Sequence, residues 1–180
     1  EKQMIALIAQ SDSDFEPGTK GEYSNSNYLL LSYILQKNQG KVYADLLQEQ
    51  IIKPLGLKNT YFGGPIQVSE NESKSYYYED GWKLQTETDM SIPIGAGGII
   101  STPSDLTKFS DALFGGELLQ NKSLTLMKKM QDGYGMALFQ FPFDGQIGFG
   151  HTGSIDGFSS IFSFFPTSEI SYALVSNGNN

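Results

Sequence analysis

The stretch YGMALFQFPFDGQIGFGHT, residues 134–152, decides how this chain folds. Aromatic residues recur in both of its halves, as is typical of strands. The Asp144-Gly145 pair between the halves is a strong signal for a tight hairpin turn. The stretch therefore predicts two antiparallel strands, over residues 134–143 and 146–152.

Two further hairpins are predicted on either side of this stretch. Residues 158–165 and 170–176 are rich in apolar and aromatic side chains, and Pro166-Thr167-Ser168 between them indicates a turn. Upstream, Glu79-Asp80-Gly81 separates two short aromatic runs within residues 75–84, which indicates a smaller hairpin.

Helical patterns occupy the part of the chain before these strands. Residues 26–39 contain the apolar runs 28–31 and 33–35, which point in nearly all directions around a helix and predict that it is buried on all sides. The capping hydroxyl of Thr102, the proline after it and the acid at Asp105 indicate a helix start. A second helix is expected to end before Pro54, because proline disfavours helix at its own and the preceding position. The predicted helices cover residues 4–8, 26–39, 42–52, 103–114 and 122–130.

This order of elements predicts an α+β fold in which helices pack on an antiparallel sheet. With 180 residues, the chain is long enough for one domain with its own core. We expect a single domain over residues 1–180, with a helical part to about residue 130 and sheet strands over 131–180.

Composition excludes several classes of function. The net charge of −8 leaves no basic surface for nucleic acid. The absence of cysteine excludes disulfides and thiol catalysis, and a single histidine makes a poor metal-ligand set. No apolar run approaches the ~20 residues of a membrane helix. We therefore expect no metal, no cofactor and no membrane span in this chain.

Two short motifs carry the candidate chemistry. Tyr23-Ser24-Asn25 lies between a Pro-Gly turn and a predicted helix, and Gly150-His151-Thr152-Gly153-Ser154 lies on a predicted strand. Taken singly, a tyrosine entering a helix is typical of packing, and a lone histidine is more often structural than catalytic. The two motifs gain significance together with other segments of the chain.

Four segments, in the order in which they occur, resemble the class C β-lactamase and D-Ala-D-Ala carboxypeptidase superfamily of penicillin-recognising serine hydrolases. PGTKGEYSNSNY (residues 17–28) resembles its second active-site motif, and PLGLKNT (54–60) a segment that follows it. GGIISTPSDL (97–106) resembles a glycine-led entry into a later helix. GHTGS (150–154), with GFSS (157–160), is similar to the third motif and the next strand.

The resemblance implies a β-lactamase/transpeptidase-like fold and a role for each motif residue. Tyr23 would be the acid/base of acyl transfer, and Asn25 would orient the acyl-side amide of the substrate. His151 stands where lysine is common, as a donor that relays a proton or anchors a carboxylate. Thr152 belongs to the substrate-binding strand, Gly153 would leave room for the substrate, and the backbone N–H of Ser154 would supply one oxyanion donor.

One motif of the superfamily has no counterpart in the chain. Ser-x-x-Lys, which carries the nucleophile, occurs nowhere, and Thr125-x-x-Lys128 is a coincidence inside a predicted helix. Because this motif is missing, and because the chain begins at Glu1 and stops just after a strand where the superfamily continues into a helix, we expect an incomplete domain that is cut at both ends. A missing N-terminal segment that carries the nucleophile would then be its partner.

Two interpretations of function remain open from sequence. In the first, the chain is part of a bacterial serine hydrolase that forms an acyl-enzyme with a β-lactam, a D-Ala-D-Ala peptide or an ester. His-Thr-Gly favours the carboxypeptidases and related esterases over typical class C β-lactamases, which tend to carry Lys-Thr-Gly. In the second, it belongs to a non-catalytic binding module or pseudoenzyme that keeps the cleft. A cell-wall substrate would imply a periplasmic or extracellular location.

Overall fold

The structure is a computed structural model that describes residues 1–180. Its helices are α1 (Lys2–Ile8), α2 (Asn25–Gln39), α3 (Tyr43–Leu47), α4 (Lys53–Leu55), α5 (Pro103–Phe114) and α6 (Asn121–Met127). Its strands are β1 (Tyr61–Phe62), β2 (Tyr76–Tyr78), β3 (Trp82–Leu84), β4 (Ile99–Ile100), β5 (Phe139–Phe143), β6 (Gln146–Ile155), β7 (Phe158–Phe165), β8 (Ile170–Ser176) and β9 (Gly178–Asn179).

The main sheet has four strands, β5 to β8, which pair in chain order and are all antiparallel. Asp144 and Gly145 join the first two strands with φ values of 47° and 71°. Two consecutive positive φ angles are what a type I′ hairpin turn requires, and Asp-Gly adopts them readily. The hairpin that the sequence predicted at this point is therefore confirmed.

Helix α5 covers one face of this sheet. Phe109 meets Phe162 edge-on, with ring centroids 5.9 Å apart, and Phe114 stacks on Phe164 at 4.9 Å. The Ser171 hydroxyl donates to the Ser110 hydroxyl at 2.9 Å. The predicted α+β fold, with a helix packed on an antiparallel sheet, is confirmed.

The smaller strands form two separate sheets. β2 and β3 form the hairpin predicted around Glu79-Asp80-Gly81, and β9 adds to β2 in a parallel orientation. β1 and β4 pair as a two-stranded ribbon. A 3₁₀ turn over Ile94–Ala96 leads into β4.

Helix α2 lies where it was predicted, but the prediction that it is buried on all sides is wrong. Leu29 and Tyr33 pack with Ile94 in a small core, and Gly95 approaches so closely that a Cβ there would lie 2.0 Å from the Ser32 hydroxyl. On the other side, three apolar side chains remain in solvent: Leu31 (54% exposed), Ile34 (54%) and Leu35 (37%). The apolar pattern describes the helix itself, whereas burial depends on which elements reach it.

The helix that begins at Tyr43 does not end before Pro54, contrary to prediction. A π-helical turn over Gln48–Ile52 joins α3 to α4, and Pro54 lies inside α4. A wider turn moves the carbonyl four residues earlier away from the proline ring, the contact that ordinarily breaks a helix. Gly56, at φ 61°, then ends the helix in the left-handed conformation.

The first predicted strand of the sheet begins five residues later than expected. β5 starts at Phe139, and the preceding residues form an irregular turn in which Asp132 (φ 52°), Gly133 (φ 86°) and Ala137 (φ 58°) all have positive φ. The Ala137 N–H donates to the hydroxyl of Tyr28, at 2.7 Å, instead of to a neighbouring strand. Hydrogen bonding to a distant helix therefore replaces strand pairing here.

Candidate active site

The segment that carries Tyr23 is held by two hydrogen bonds to the turn before β5. The Gly21 N–H donates to Asp132 Oδ2 at 2.7 Å, and the Tyr28 hydroxyl accepts from the Ala137 N–H at 2.7 Å. These contacts lie on either side of Tyr23 in sequence and join residues more than 100 positions apart. They hold Tyr23 beside the sheet, although it belongs to the helical part of the chain.

His151 lies in the middle of β6, where the strands approach unusually closely. A Cβ on Gly150 would lie 1.9 Å from the carbonyl oxygen of Phe162, so only glycine fits this position of the β6–β7 pair. On the other side, Gly150 lies opposite Phe139 of β5. The glycine before the histidine is thus explained by packing of the sheet.

The two predicted motifs meet at this point. The ring centroids of Tyr23 and His151 are 5.9 Å apart. Phe139 stacks on His151 at 4.3 Å, with an angle of 25° between the rings, and Tyr134 lies 6.5 Å from Tyr23. We call the space beside these four rings the Tyr23 cavity.

The Tyr23 cavity has a volume of about 230 Å³ and is lined mainly by apolar and aromatic side chains. Tyr23 itself is 43% exposed, so its hydroxyl is accessible. The lining contains one carboxylate, Glu22, and no lysine or arginine. Its residues are Glu22, Tyr23, Ser24, Asn27, Tyr28, Leu31, Tyr134, Gly135, Ala137, Leu138, Phe139 and His151.

The Tyr23 hydroxyl donates to Oδ1 of Asn25 at 2.8 Å. The two side chains that were predicted to share the chemistry are therefore in contact. A phenolate would need a neighbouring cation or hydrogen-bond donors, and the carbonyl oxygen of an amide is neither. Within this chain, the amide fixes the direction of the Tyr23 hydroxyl.

The other predicted site residues follow His151 along β6 and lie outside the cavity lining. Thr152 and Ser154 are exposed, and Gly153 lies opposite Ser160 of β7. A Cβ on Gly153 would lie 2.4 Å from the Ser160 hydroxyl, so the neighbour that this glycine accommodates is a side chain of the same sheet. Three predicted residues thus form an exposed strip that leads away from the cavity.

Sequence reasoning missed Tyr134 and Phe139 as site residues, because both fell within a predicted strand. The available signal was Asp132-Gly133, a turn pair directly before Tyr134. A strand predicted to begin only after this turn would have placed Tyr134 outside the sheet and Phe139 near the start of the strand.

The remaining two segments of the resemblance meet elsewhere, around a buried carboxylate. Asp105 is 2% exposed, and its Oδ2 accepts from the Asn59 N–H at 2.7 Å and the Thr60 hydroxyl at 2.9 Å. The Thr60 and Ser101 hydroxyls are 2.8 Å apart. We call Asn59, Thr60, Ser101 and Asp105 the Asp105 cluster. It joins residues 54–60 to the start of α5.

No group of three or more histidine, aspartate and glutamate side chains is arranged to hold a metal ion. None of the helices combines the length and the apolar character that crossing a membrane requires.

The α+β fold, with a helix packed on an antiparallel sheet, fits the class C β-lactamase and penicillin-binding-protein superfamily. The chain belongs to the Beta-lactamase family, whose model matches residues 1–180.

Relatives in sequence support this assignment. PbpX of Bacillus subtilis (strain 168), named as a penicillin-binding protein, is 30% identical over 169 residues, which are 92% of this chain and 42% of that protein. The D-alanyl-D-alanine-carboxypeptidase/endopeptidase AmpH of Escherichia coli (strain K12) is 32% identical over 108 residues, 59% of this chain and 26% of AmpH. The chain spans less than half the length of these curated relatives.

A solved structure supports the assignment as well. The D-amino acid amidase of Ochrobactrum anthropi SV3, in complex with L-phenylalanine amide, superposes with a TM-score of 0.87 at 29% identity. The match covers 99% of this chain and 56% of the amidase.

Proposed function

We propose that this chain supplies the proton-transfer and substrate-binding part of a serine hydrolase that acts by acyl-enzyme formation. The observation that carries the proposal is the contact between the two motifs: Tyr23 and His151, 128 positions apart in sequence, flank one open cavity. Substrates would be β-lactams, D-Ala-D-Ala peptides, esters or D-amino acid amides. D-amino acid amides belong to this group because the D-amino acid amidase of Ochrobactrum anthropi is similar to this chain in sequence and structure.

In this proposal Tyr23 takes the proton of the serine nucleophile and returns it to the leaving group. Asn25 directs the Tyr23 hydroxyl and orients the acyl-side amide of the substrate. The exposed strip formed by Thr152, Gly153 and Ser154 receives the substrate backbone, and the Ser154 N–H is one oxyanion donor. An exposed strand next to the acid/base suits this role, because a substrate can lie along it.

The nucleophile is proposed to lie on another segment of a longer protein. Ser-x-x-Lys is absent from residues 1–180, and the relatives are more than twice as long as the region that matches. The same segment would bring the cation that a Tyr23 phenolate needs. If the substrate is a cell-wall peptide, the longer protein would be periplasmic or extracellular.

A labelled penicillin tests the proposal. The chain alone and the longer protein that contains it would be incubated with the label, and adducts located by peptide mass mapping. We expect an adduct only on the longer protein, at a serine three residues before a lysine. A Tyr23→Phe variant of the longer protein serves as the matched control, with much slower labelling.

Two other results would change the conclusion. A stoichiometric adduct on a serine within residues 1–180 of the isolated chain would show that the nucleophile has been misplaced. Failure of the longer protein to label, or to cleave any ester, D-amino acid amide or D-Ala-D-Ala peptide, would favour the second interpretation, a pseudoenzyme that binds without turnover.

A further inference from the structure

The hydrogen bonding of His151 defines which ring nitrogen carries its proton. Nδ1 lies 2.5 Å from the carbonyl oxygen of Thr152. A carbonyl oxygen can only accept, so Nδ1 must donate. In a neutral imidazole one nitrogen donates and the other accepts. In the neutral ring Nε2 therefore carries no hydrogen and can accept one.

The plane of the same ring is held by Phe139. The two rings stack at 4.3 Å with 25° between their planes, whereas Tyr23 lies farther away, at 5.9 Å and 38°. Phe139 lies opposite Gly150, which has no side chain, and its ring packs on the next residue of β6 instead. The close approach of Phe162 to Gly150 keeps that space free of any larger residue.

We infer that Phe139 and the Thr152 carbonyl are positioning groups that hold His151 as the Nδ1–H tautomer, with Nε2 presented as a proton acceptor. This inference rests on the proposed function for its catalytic meaning, although the tautomer itself does not. Neutral His151 then takes the hydroxyl proton of Tyr23 at Nε2, which breaks the Tyr23 O–H bond and leaves the phenolate that accepts the serine proton. His151 returns the proton to Tyr23 after the leaving group has been protonated. An anchor for a substrate carboxylate would need a hydrogen at Nε2, which the neutral Nδ1–H tautomer lacks and the protonated ring has.

The sole histidine makes the test direct. In the full chain labelled with ¹⁵N-histidine, only two ring nitrogens give signals. At about pH 8 we expect a protonated-type shift for Nδ1 and an unprotonated-type shift for Nε2. Predominance of the Nε2–H tautomer in the wild-type chain would overturn the inference.

Substitution of Phe139 tests its part. In Phe139→Leu the two ¹⁵N shifts should move toward each other, because a ring released from stacking samples both tautomers. Phe139→Tyr should restore the wild-type shifts, and it keeps the test decisive if the leucine variant folds poorly. Phe141→Leu is the matched control, since Phe141 lies on the same strand and meets Phe139 edge-on, with ring centroids 6.4 Å apart, instead of packing on His151. Wild-type shifts in Phe139→Leu would contradict the positioning role.

Kinetics of the longer protein separate this inference from the proposed function. Phe139→Leu should lower kcat by at least about tenfold while KM stays within about twofold, since misplacing a proton acceptor affects the reaction and not ground-state binding. A rise in KM alone would assign Phe139 to substrate contact. If the wild-type protein has no activity while the NMR results hold, the proposed function fails and the tautomer assignment stands.

Discussion

The Asp105 cluster and the Tyr23 cavity are each formed by two of the segments that carry the family resemblance, yet they differ in every physical respect. The Asp105 carboxylate is 2% exposed, and one of its oxygens already accepts two hydrogen bonds. Tyr23 is 43% exposed and borders an open cavity. The Asp105 carboxylate is enclosed by groups of its own chain. The Tyr23 and His151 side chains, by contrast, border open space.

Burial and hydrogen bonding thus distinguish, within one family pattern, the segments that stabilise the fold from the segments that border a cavity. A buried carboxylate that accepts hydrogen bonds from its own chain ties two segments together. The phenol of Tyr23 and the imidazole of His151 lie beside a cavity, where their polar atoms remain available to a substrate. Both kinds of residue belong to the same four-segment pattern, so similarity by itself does not distinguish them.

The largest effect is expected at the Asp105 cluster. Asp105→Ala leaves the Asn59 N–H and the Thr60 hydroxyl buried without their acceptor, which should lower the free energy of unfolding by about 3 kcal/mol. Urea unfolding of the full chain measures this change. Asp111→Ala, an exposed aspartate on the same helix, should change stability by less than about 0.5 kcal/mol. Equal effects of the two substitutions would remove the distinction between the regions.

The Tyr23 cavity should show the opposite behaviour. Tyr23→Phe and His151→Ala are each expected to lower kcat/KM of the longer protein at least ~100-fold, or about 2.7 kcal/mol of transition-state stabilisation. Stability should change little for Tyr23→Phe, because its hydroxyl bonds only to the exposed Asn25. Steady-state kinetics and urea unfolding on the same preparations provide the measurements. Tyr134→Phe, in the same cavity, is the control; wild-type rates in the first two variants would refute their assigned roles.

The smallest effect concerns the phenol of Tyr61, which lies outside both regions. Burial, the hydrogen bond to Glu72 and the charges of Glu72 and Glu70 raise the pKa of Tyr61 from 10.0 to about 12. A folded-state pKa above the unfolded value means that the stabilisation is complete below about pH 10 and is lost as the pH rises toward 12. Urea midpoints measured at pH 9, 10, 11 and 11.5 should therefore fall more steeply for wild type than for Tyr61→Phe. Identical slopes would show that the Tyr61–Glu72 contact does not form in solution.

Local signals in the sequence predicted much of the fold. Thr102 caps α5 as expected, with its hydroxyl accepting from the Asp105 N–H at 3.3 Å. Gly40 ends α2 in the left-handed conformation at φ 65°, and Asp144-Gly145 forms its turn. Each of these features depends on backbone geometry within about four residues, which the residue types themselves specify. The roles of Tyr23, Asn25 and His151 remain predictions.

The failures share a different cause. The exposed side of α2, the helix that continues through Pro54 and the late start of β5 all depend on contacts with distant parts of the chain or on a change of helix type. The bond from Ala137 to the Tyr28 hydroxyl joins residues 109 positions apart. Short-range sequence patterns do not predict a hydrogen-bond partner at such a distance along the chain.

Residue types and short-range geometry were sufficient to indicate the family, the order of the longer helices and of strands β5 to β8, the main hairpin turns and the absence of thiol chemistry. Only the tertiary structure decided that Tyr23 and His151 share a cavity with Tyr134 and Phe139. It also decided that Oδ2 of the Asp105 carboxylate accepts two hydrogen bonds from its own chain. The physical reason is that burial and hydrogen-bond partners belong to pairs of distant segments, and those pairs exist only once the chain has folded.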